Sequence, residues 1–206
     1  MMKLKVCGLK DPDNLKMVLG QNPDYIGYIF YEKSPRFIGN RKFNVPQGAK
    51  KTGVFVNANF EFIKNKIKSH SLDAVQLHGD ESVDLCNGIR SQSVEIIKAF
   101  GIDTTLDIEL MTTYLKSCDY FLFDTKSRKH GGTGKRFDWS ILHFYPFEKP
   151  FFISGGIDSI HISEIKKLSA KNPFLHGVDI NSKFEIEPGI KNITKIAEFK
   201  TLLHDL

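Results

Sequence analysis

Short β-rich runs recur along this chain roughly every 20–30 residues, and each is followed by a segment able to form a helix. Eight runs are read, at Lys3–Gly8, Asp24–Phe30, Lys51–Val56, Asp73–Leu77, Val94–Phe100, Asp119–Thr125, Phe151–Ser154 and Leu175–Ile180. Such alternation predicts an α/β chain of βα units around a parallel sheet.

Start signals mark several of the helices. Asp11-Pro12 offers an N-cap and a proline at the first helical position. After Asn59, the residues Phe60, Ile63 and Ile67 share one face at helical spacing, and Leu106, Leu110, Met111 and Tyr114 do the same later. Asp158 begins another helix with Ile162 and Ile165 facing inward, and Lys191–Leu203 is the last. The segment from Ile38 to Lys50, with Gly39, Pro46 and Gly48, is a poor helix, and Ser127–Asp138 reads as a long loop.

Eight strands with eight connections fit either a doubly wound open sheet or a closed (β/α)8 barrel. The distinctive residues decide for the barrel, because they follow the ends of many different strands. Cys7 and Gly8 end the first, Gln76 and His78 the fourth and Asp124 the sixth; Gly155 and Gly156 end the seventh and Asp179 the eighth. Only a closed barrel gathers all those ends on one rim. The first strand also lacks a GxGxxG turn. With 206 residues, the expectation is one (β/α)8 TIM barrel spanning residues 1–206, close to the lower size limit of that fold.

Charge and cysteines narrow the function classes. Lys and Arg number 29 against 24 Asp and Glu, without the basic stripe and interleaved aromatics of a nucleic-acid binder. The cluster Lys126, Arg128, Lys129, Lys135 and Arg136 suits a small anionic ligand instead. No apolar run approaches the roughly 20 residues of a membrane helix, and no signal-peptide core is read at the start. Cys7, Cys86 and Cys118 are widely spaced and form no metal pattern, which predicts reduced thiols and a cytoplasmic protein. No metal set and no cofactor motif is found.

Cys7 taken alone is more often a small buried hydrophobe than a catalyst; its rim position favours chemistry. Alternation places Lys3, Lys5 and Cys7 on one face, with Lys5 about 7 Å below the thiol. A free ammonium there is expected to draw the thiol pKa down from about 8.5 and make a general base, unless an acid claims Lys5. Asp124, after the apolar run Tyr120–Phe123, is either a turn residue or a proton donor at the barrel mouth. Gly131–Gly134 and Ser154-Gly-Gly156 resemble phosphate-cradling turns, the latter with Asn181-Ser182 at the barrel ends that commonly bind phosphate. Arg36 is either a solvated loop arginine or, at this rim, one able to grip a carboxylate, and His78 reads as a structural or hydrogen-bonding histidine. Cys86 and Cys118 read as packing residues.

The motifs Lys5-Val-Cys-Gly8, Gly53–Asn57, Val75–Gly79, Asp124-Thr-Lys126, Gly131–Gly134, Phe137-Asp-Trp139, Ser154–Gly156 and Gly177–Asp179 occur in this order. Together they resemble the phosphoribosylanthranilate isomerases of tryptophan biosynthesis over nearly the whole chain. The resemblance implies a cofactor-free Amadori rearrangement of N-(5-phosphoribosyl)anthranilate, with Cys7 as general base and Asp124 as general acid. It implies that Arg36 holds the anthranilate carboxylate and that Asp179 orients the substrate. Gly132, Thr133, Gly134, Gly155, Gly156 and Ser182 would enclose the phosphate. The expected partner is thus a small phosphorylated substrate, with no nucleic acid or membrane, and the protein a monomer or homodimer. One departure is Asp179-Ile-Asn-Ser-Lys-Phe-Glu185, which carries Lys183 where the family usually has glycine. If that position requires positive φ, lysine costs about 1 kcal/mol or more. Another phosphosugar isomerase barrel, or a binding barrel that has lost catalysis, are the alternative readings.

Overall fold

The computed structural model describes residues 1–45, 47–126 and 136–204. Eight strands close into a barrel in chain order: β1 Lys3–Cys7, β2 Tyr25–Ile29, β3 Lys50–Phe55, β4 Ala74–Leu77, β5 Glu95–Ile102, β6 Tyr120–Thr125, β7 Phe151–Ile153 and β8 Leu175–Ile180. Each strand pairs in parallel with the next. β1 also pairs with β8, Lys3 opposite Gly177 and Lys5 opposite Asp179, which closes the ring. The eight expected strands are all present, with ends displaced by a residue or two. Some of those displacements have one cause. Asp24, Asp73 and Asp119 stand just before their strands, where each carboxylate accepts a backbone N–H of the preceding strand, from Leu4, Lys51 and Ile96 respectively. Each thereby satisfies a donor at the strand's opening that the ladder leaves unpaired.

Alternation along the strands sorts two cores. Leu4, Val6, Ile26, Val75, Leu77, Ile96, Phe121 and Phe123 face outward into the large shell between barrel and helices. Tyr25, Ala74, Ile97, Ala99, Leu122 and Phe152 fill the interior. Because this interior is packed, chemistry is confined to the rim.

The outer layer comprises α1 Pro12–Leu19, α2 Phe60–His70, α3 Val83–Arg90, α4 Ile108–Tyr114, α5 Ile162–Lys171 and α6 Ile193–His204. Asp11 caps α1 by accepting from Asn14 N–H, and Asn59 caps α2 through Phe62 N–H. Asp158 caps a short 3-10 turn, Ser159–His161, that leads into α5, whose Ile162 and Ile165 are buried. The α4 face is narrower than its spacing predicts: Met111 and Tyr114 are buried, whereas Leu110 is 45% exposed. Among the described residues no helix joins β2 to β3, and the connection after β6 carries the 3-10 turn Trp139–Phe144. A small antiparallel hairpin, β9 Glu185–Glu187 and β10 Ile190–Lys191, follows β8. No helix among the described residues is long and apolar enough to cross a membrane.

Candidate active site

Cys7 is the last residue of β1 and is buried. Lys5, two residues back on the same inward face, is also buried, and its Nζ lies 2.6 Å from Asp179 Oδ2 on the neighbouring β8. Burial works to lower the Lys5 pKa, but Asp179 and Cys7 outweigh it and keep the ammonium charged. The effect on Cys7 is the reverse of the sequence expectation. Burial pushes the thiol pKa up, and the opposing pull of Lys5 does not overcome it. An ammonium already committed to a carboxylate returns only part of what desolvation takes from a thiolate. Asp179 therefore lies in the floor of the site as the counter-ion of Lys5, with its Oδ1 buried and unpartnered.

Asp124 lies near the end of β6. Its Oδ1 accepts from Thr125 N–H at 2.8 Å, and its Oδ2 is 3.0 Å from His78 Nε2. His78 Nδ1 is 2.9 Å from Gln76 Nε2. Gln76 and Asp124 engage both ring nitrogens of His78 and so fix the plane of the imidazole. His78 is thus the hydrogen-bonding histidine that its sequence context suggests, but its partner, the candidate acid, was not foreseen. The clue is parity: Gln76 lies on the inward face of β4, and His78, two residues on and just past the strand's end, keeps that direction. The turn that carries His78 is braced from outside the barrel. Lys98 Nζ donates to Gly79 O at 2.6 Å and pairs with Glu81 at 3.1 Å. Glu81 in turn accepts from the N–H groups of Asn57 and Gly79. A cavity of about 690 Å³ opens beside Asp124, lined also by His78, Gly101, Thr104 and Lys126. Its walls come from β5, α4 and the end of β6, and Cys7, Arg36 and the glycine turn after β7 are not part of its lining.

Arg36 stands between β2 and β3 and does grip a carboxylate, but one supplied by the chain itself. Its Nε lies 2.8 Å from Glu185 Oε1, and its Nη2 lies 2.6 Å from Oε2. Lys191 Nζ reaches the same Glu185 at 2.7 Å and Asn181 Oδ1 at 2.7 Å. Glu185 and Lys191, which sequence reasoning did not single out, thus belong to the rim.

A family profile described as N-(5'phosphoribosyl)anthranilate (PRA) isomerase matches residues 4–201. The chain belongs to the phosphoribosylanthranilate isomerase family. A relative named N-(5'-phosphoribosyl)anthranilate isomerase, from Parabacteroides distasonis, is 43% identical over 98% of this chain and 94% of its own length. Among solved structures, phosphoribosyl anthranilate isomerase from Thermotoga maritima is 30% identical with a TM-score of 0.85, each chain covered fully. A second isomerase structure, in complex with reduced 1-(o-carboxyphenylamino)-1-deoxyribulose 5-phosphate, is 27% identical over both full lengths, with a TM-score of 0.81.

Of the residues expected from the resemblance to enclose a phosphate, three lie among the described residues. Gly155 and Gly156 follow β7 with φ of +82° and +67°, a backbone that glycine adopts freely. A Cβ on Gly155 would press on Asp124 Oδ1 and Thr125, so the turn and the candidate acid are packed against each other. Ser182 and Lys183 lie in a 3-10 turn, Ser182–Phe184, after β8. Lys183 is not among the residues of positive φ, so the departure from the family's glycine carries no backbone strain. Gly132, Thr133, Gly134 and most of the segment from Ser127 to Arg136 lie outside the described residues.

Proposed function

We propose that Cys7 and Asp124 are the general base and general acid in the isomerisation of N-(5'-phosphoribosyl)anthranilate, the reaction for which the family is named. The chain is an isomerase of tryptophan biosynthesis, and the reading concerns which of its groups do the work. What carries it is the placement of a thiol ending β1 and a hydrogen-bonded carboxylate near the end of β6, both at the barrel's C-terminal rim.

Asp124, once protonated, gives its proton to the furanose ring oxygen. The C1–O bond then breaks as the anilino nitrogen lone pair forms the C=N bond of an iminium. Cys7, as thiolate, removes the proton from C2, and the electron pair moves to give an enolamine. Protonation at C1 and loss of the enol proton yield the 1-deoxyribulose, with both side chains restored. His78 and the Thr125 N–H each engage one oxygen of Asp124, which fixes the carboxylate at the edge of the cavity. Arg36 receives the ring carboxylate. Gly155, Gly156 and Ser182 hold the phosphate through backbone N–H groups, as anions are held at glycine turns, and the family resemblance gives Gly132, Thr133 and Gly134 to the same group. No resident metal or cofactor enters this scheme.

The test is the decay of anthranilate-type fluorescence when freshly made phosphoribosylanthranilate meets the protein. Cys7→Ser and Asp124→Asn are each expected to lower kcat by at least about 10²-fold while ligand still binds. Turnover near the wild-type rate in either variant removes that residue from the scheme. Decay no faster than spontaneous hydrolysis in the wild-type protein returns a binding barrel as the better reading.

A further inference from the structure

Glu185 lies outside the barrel strands, on the hairpin that follows β8, and its carboxylate is 4% exposed. Oε1 accepts from Arg36 Nε at 2.8 Å, Lys191 Nζ at 2.7 Å and Gly189 N–H at 3.0 Å. Oε2 accepts from Arg36 Nη2 at 2.6 Å and from Nε at 3.0 Å. Burial alone would favour the neutral acid, yet Arg36 and Lys191 hold this carboxyl below the usual range. Lys191 is fixed in turn, since its backbone N–H and C=O both pair with the buried Asn14 side chain.

Two consequences follow for Arg36. A guanidinium presents two edges suited to carboxylates, and Glu185 occupies the inner one, Nε with Nη2. Among the described residues nothing accepts from Nη1. The outer edge is therefore free, and rotation of the group to any other use would abandon a buried counter-ion. Charge points the same way. Arg36 and Lys191 share a single carboxylate, which leaves one positive charge uncompensated, and burial already pushes the Lys191 pKa down. One further carboxylate on the outer edge of Arg36 would balance the cluster. The cluster is also at the right place: a Cβ on Gly8, the residue after Cys7, would stand 2.7 Å from Arg36 Cδ and 2.8 Å from Asn181 Oδ1.

We propose that Glu185 is a positioning residue for carboxylate recognition: it locks the inner edge of Arg36 and thereby presents the outer edge to the ring carboxylate of an anthranilate-type ligand. This rests on the function proposed above. Two ligands separate Glu185's effect on the carboxylate from its effect on the fold. One is reduced 1-(o-carboxyphenylamino)-1-deoxyribulose 5-phosphate, and the other is its phenylamino counterpart without the carboxyl group. Their affinities are measured by calorimetry for the wild-type protein, Glu185→Gln and Glu185→Asp. Wild-type protein is expected to prefer the carboxylated ligand. Glu185→Gln is expected to lose about tenfold or more on that ligand and to stay within about twofold on the other, the scale of one charge-assisted hydrogen bond.

Glu185→Asp keeps the charge but is one methylene too short to span Arg36 and Lys191 together. It is expected to fall between the two, and it decides the matter if the Gln variant does not fold. Equal losses on both ligands would overturn the proposal in favour of a purely structural role. Tighter binding of the carboxylated ligand by Glu185→Gln would overturn it by making Glu185 a competitor. Wild-type protein that binds both ligands equally overturns this proposal alone; wild-type protein that binds neither overturns the proposed function with it.

Discussion

Burial and a neighbouring ammonium act on Cys7 in opposite directions, and burial prevails because Lys5 is already held by Asp179. This has a definite sign for catalysis. The thiolate is the active form of the base, so kcat/KM should rise with pH through the thiol's own titration. A pKa pushed up by the fold places that inflection above the ordinary thiol value of about 8.5, not below it. A pH–rate profile run beside thiolate absorbance should give the same inflection from both. An inflection at or below neutrality would mean that Lys5 serves Cys7 rather than Asp179. His78 stands in a different arrangement, with both ring nitrogens engaged, one by Gln76 and one by Asp124. Its part in the scheme is orientation.

The elements show where sequence reasoning reached and where it stopped. All eight strands were legible, because short β-rich runs recur roughly every 20–30 residues and each is followed by a segment able to form a helix. The cap at Asp11 was legible from the proline that follows it, and the helix starts near Asn59 and Asp158 from the apolar spacing behind them. The hairpin of β9 and β10 was not: strands of three and two residues are too short to display a period, and Glu185 there looks like any surface glutamate. Nor could the partner of Arg36 be read, since the two lie 149 positions apart and meet only through closure of the barrel. Leu110 was misjudged because α4 is short and buries only part of the face its spacing suggests. The turn after β7 yields a prediction at this scale. Gly155→Ala must hold alanine at φ +82°, at about 1 kcal/mol or more, and must also push its Cβ into Asp124. Turnover is expected to fall by about tenfold or more with only a small loss of thermal stability, since displacement of a reacting group costs rate steeply. A variant that lost several degrees of melting temperature but kept full kcat would show that the turn supports the fold and not the acid.

Across the whole molecule the two ends of the barrel have different tasks. The rim at the C-terminal ends of the strands holds Cys7, Asp124, Arg36 and the glycine turn. The opposite end is closed by Tyr25 bonded to Glu95, by Lys3 paired with Asp24, and by Tyr120 packed against His176 with ring centroids 4.7 Å apart. Between them lies a dense interior that also encloses the thiol of Cys7, while Cys86 and Cys118 lie in the outer shell with pKa values pushed up by burial to about 11 and about 12. All three thiols are buried. The native protein is therefore expected to react with a disulfide reagent at least about a hundredfold more slowly than free cysteine, and to release three reactive thiols on unfolding in urea. Rapid labelling of Cys7 in the folded protein would contradict the burial described here. The same enclosure bears on how long the protein lasts. Peroxide and electrophilic metabolites attack thiolates, and the first step towards sulfenic and sulfinic acids begins there. By keeping its base buried and favouring the protonated form, this barrel carries a cysteine through a chemically hostile environment with little to damage.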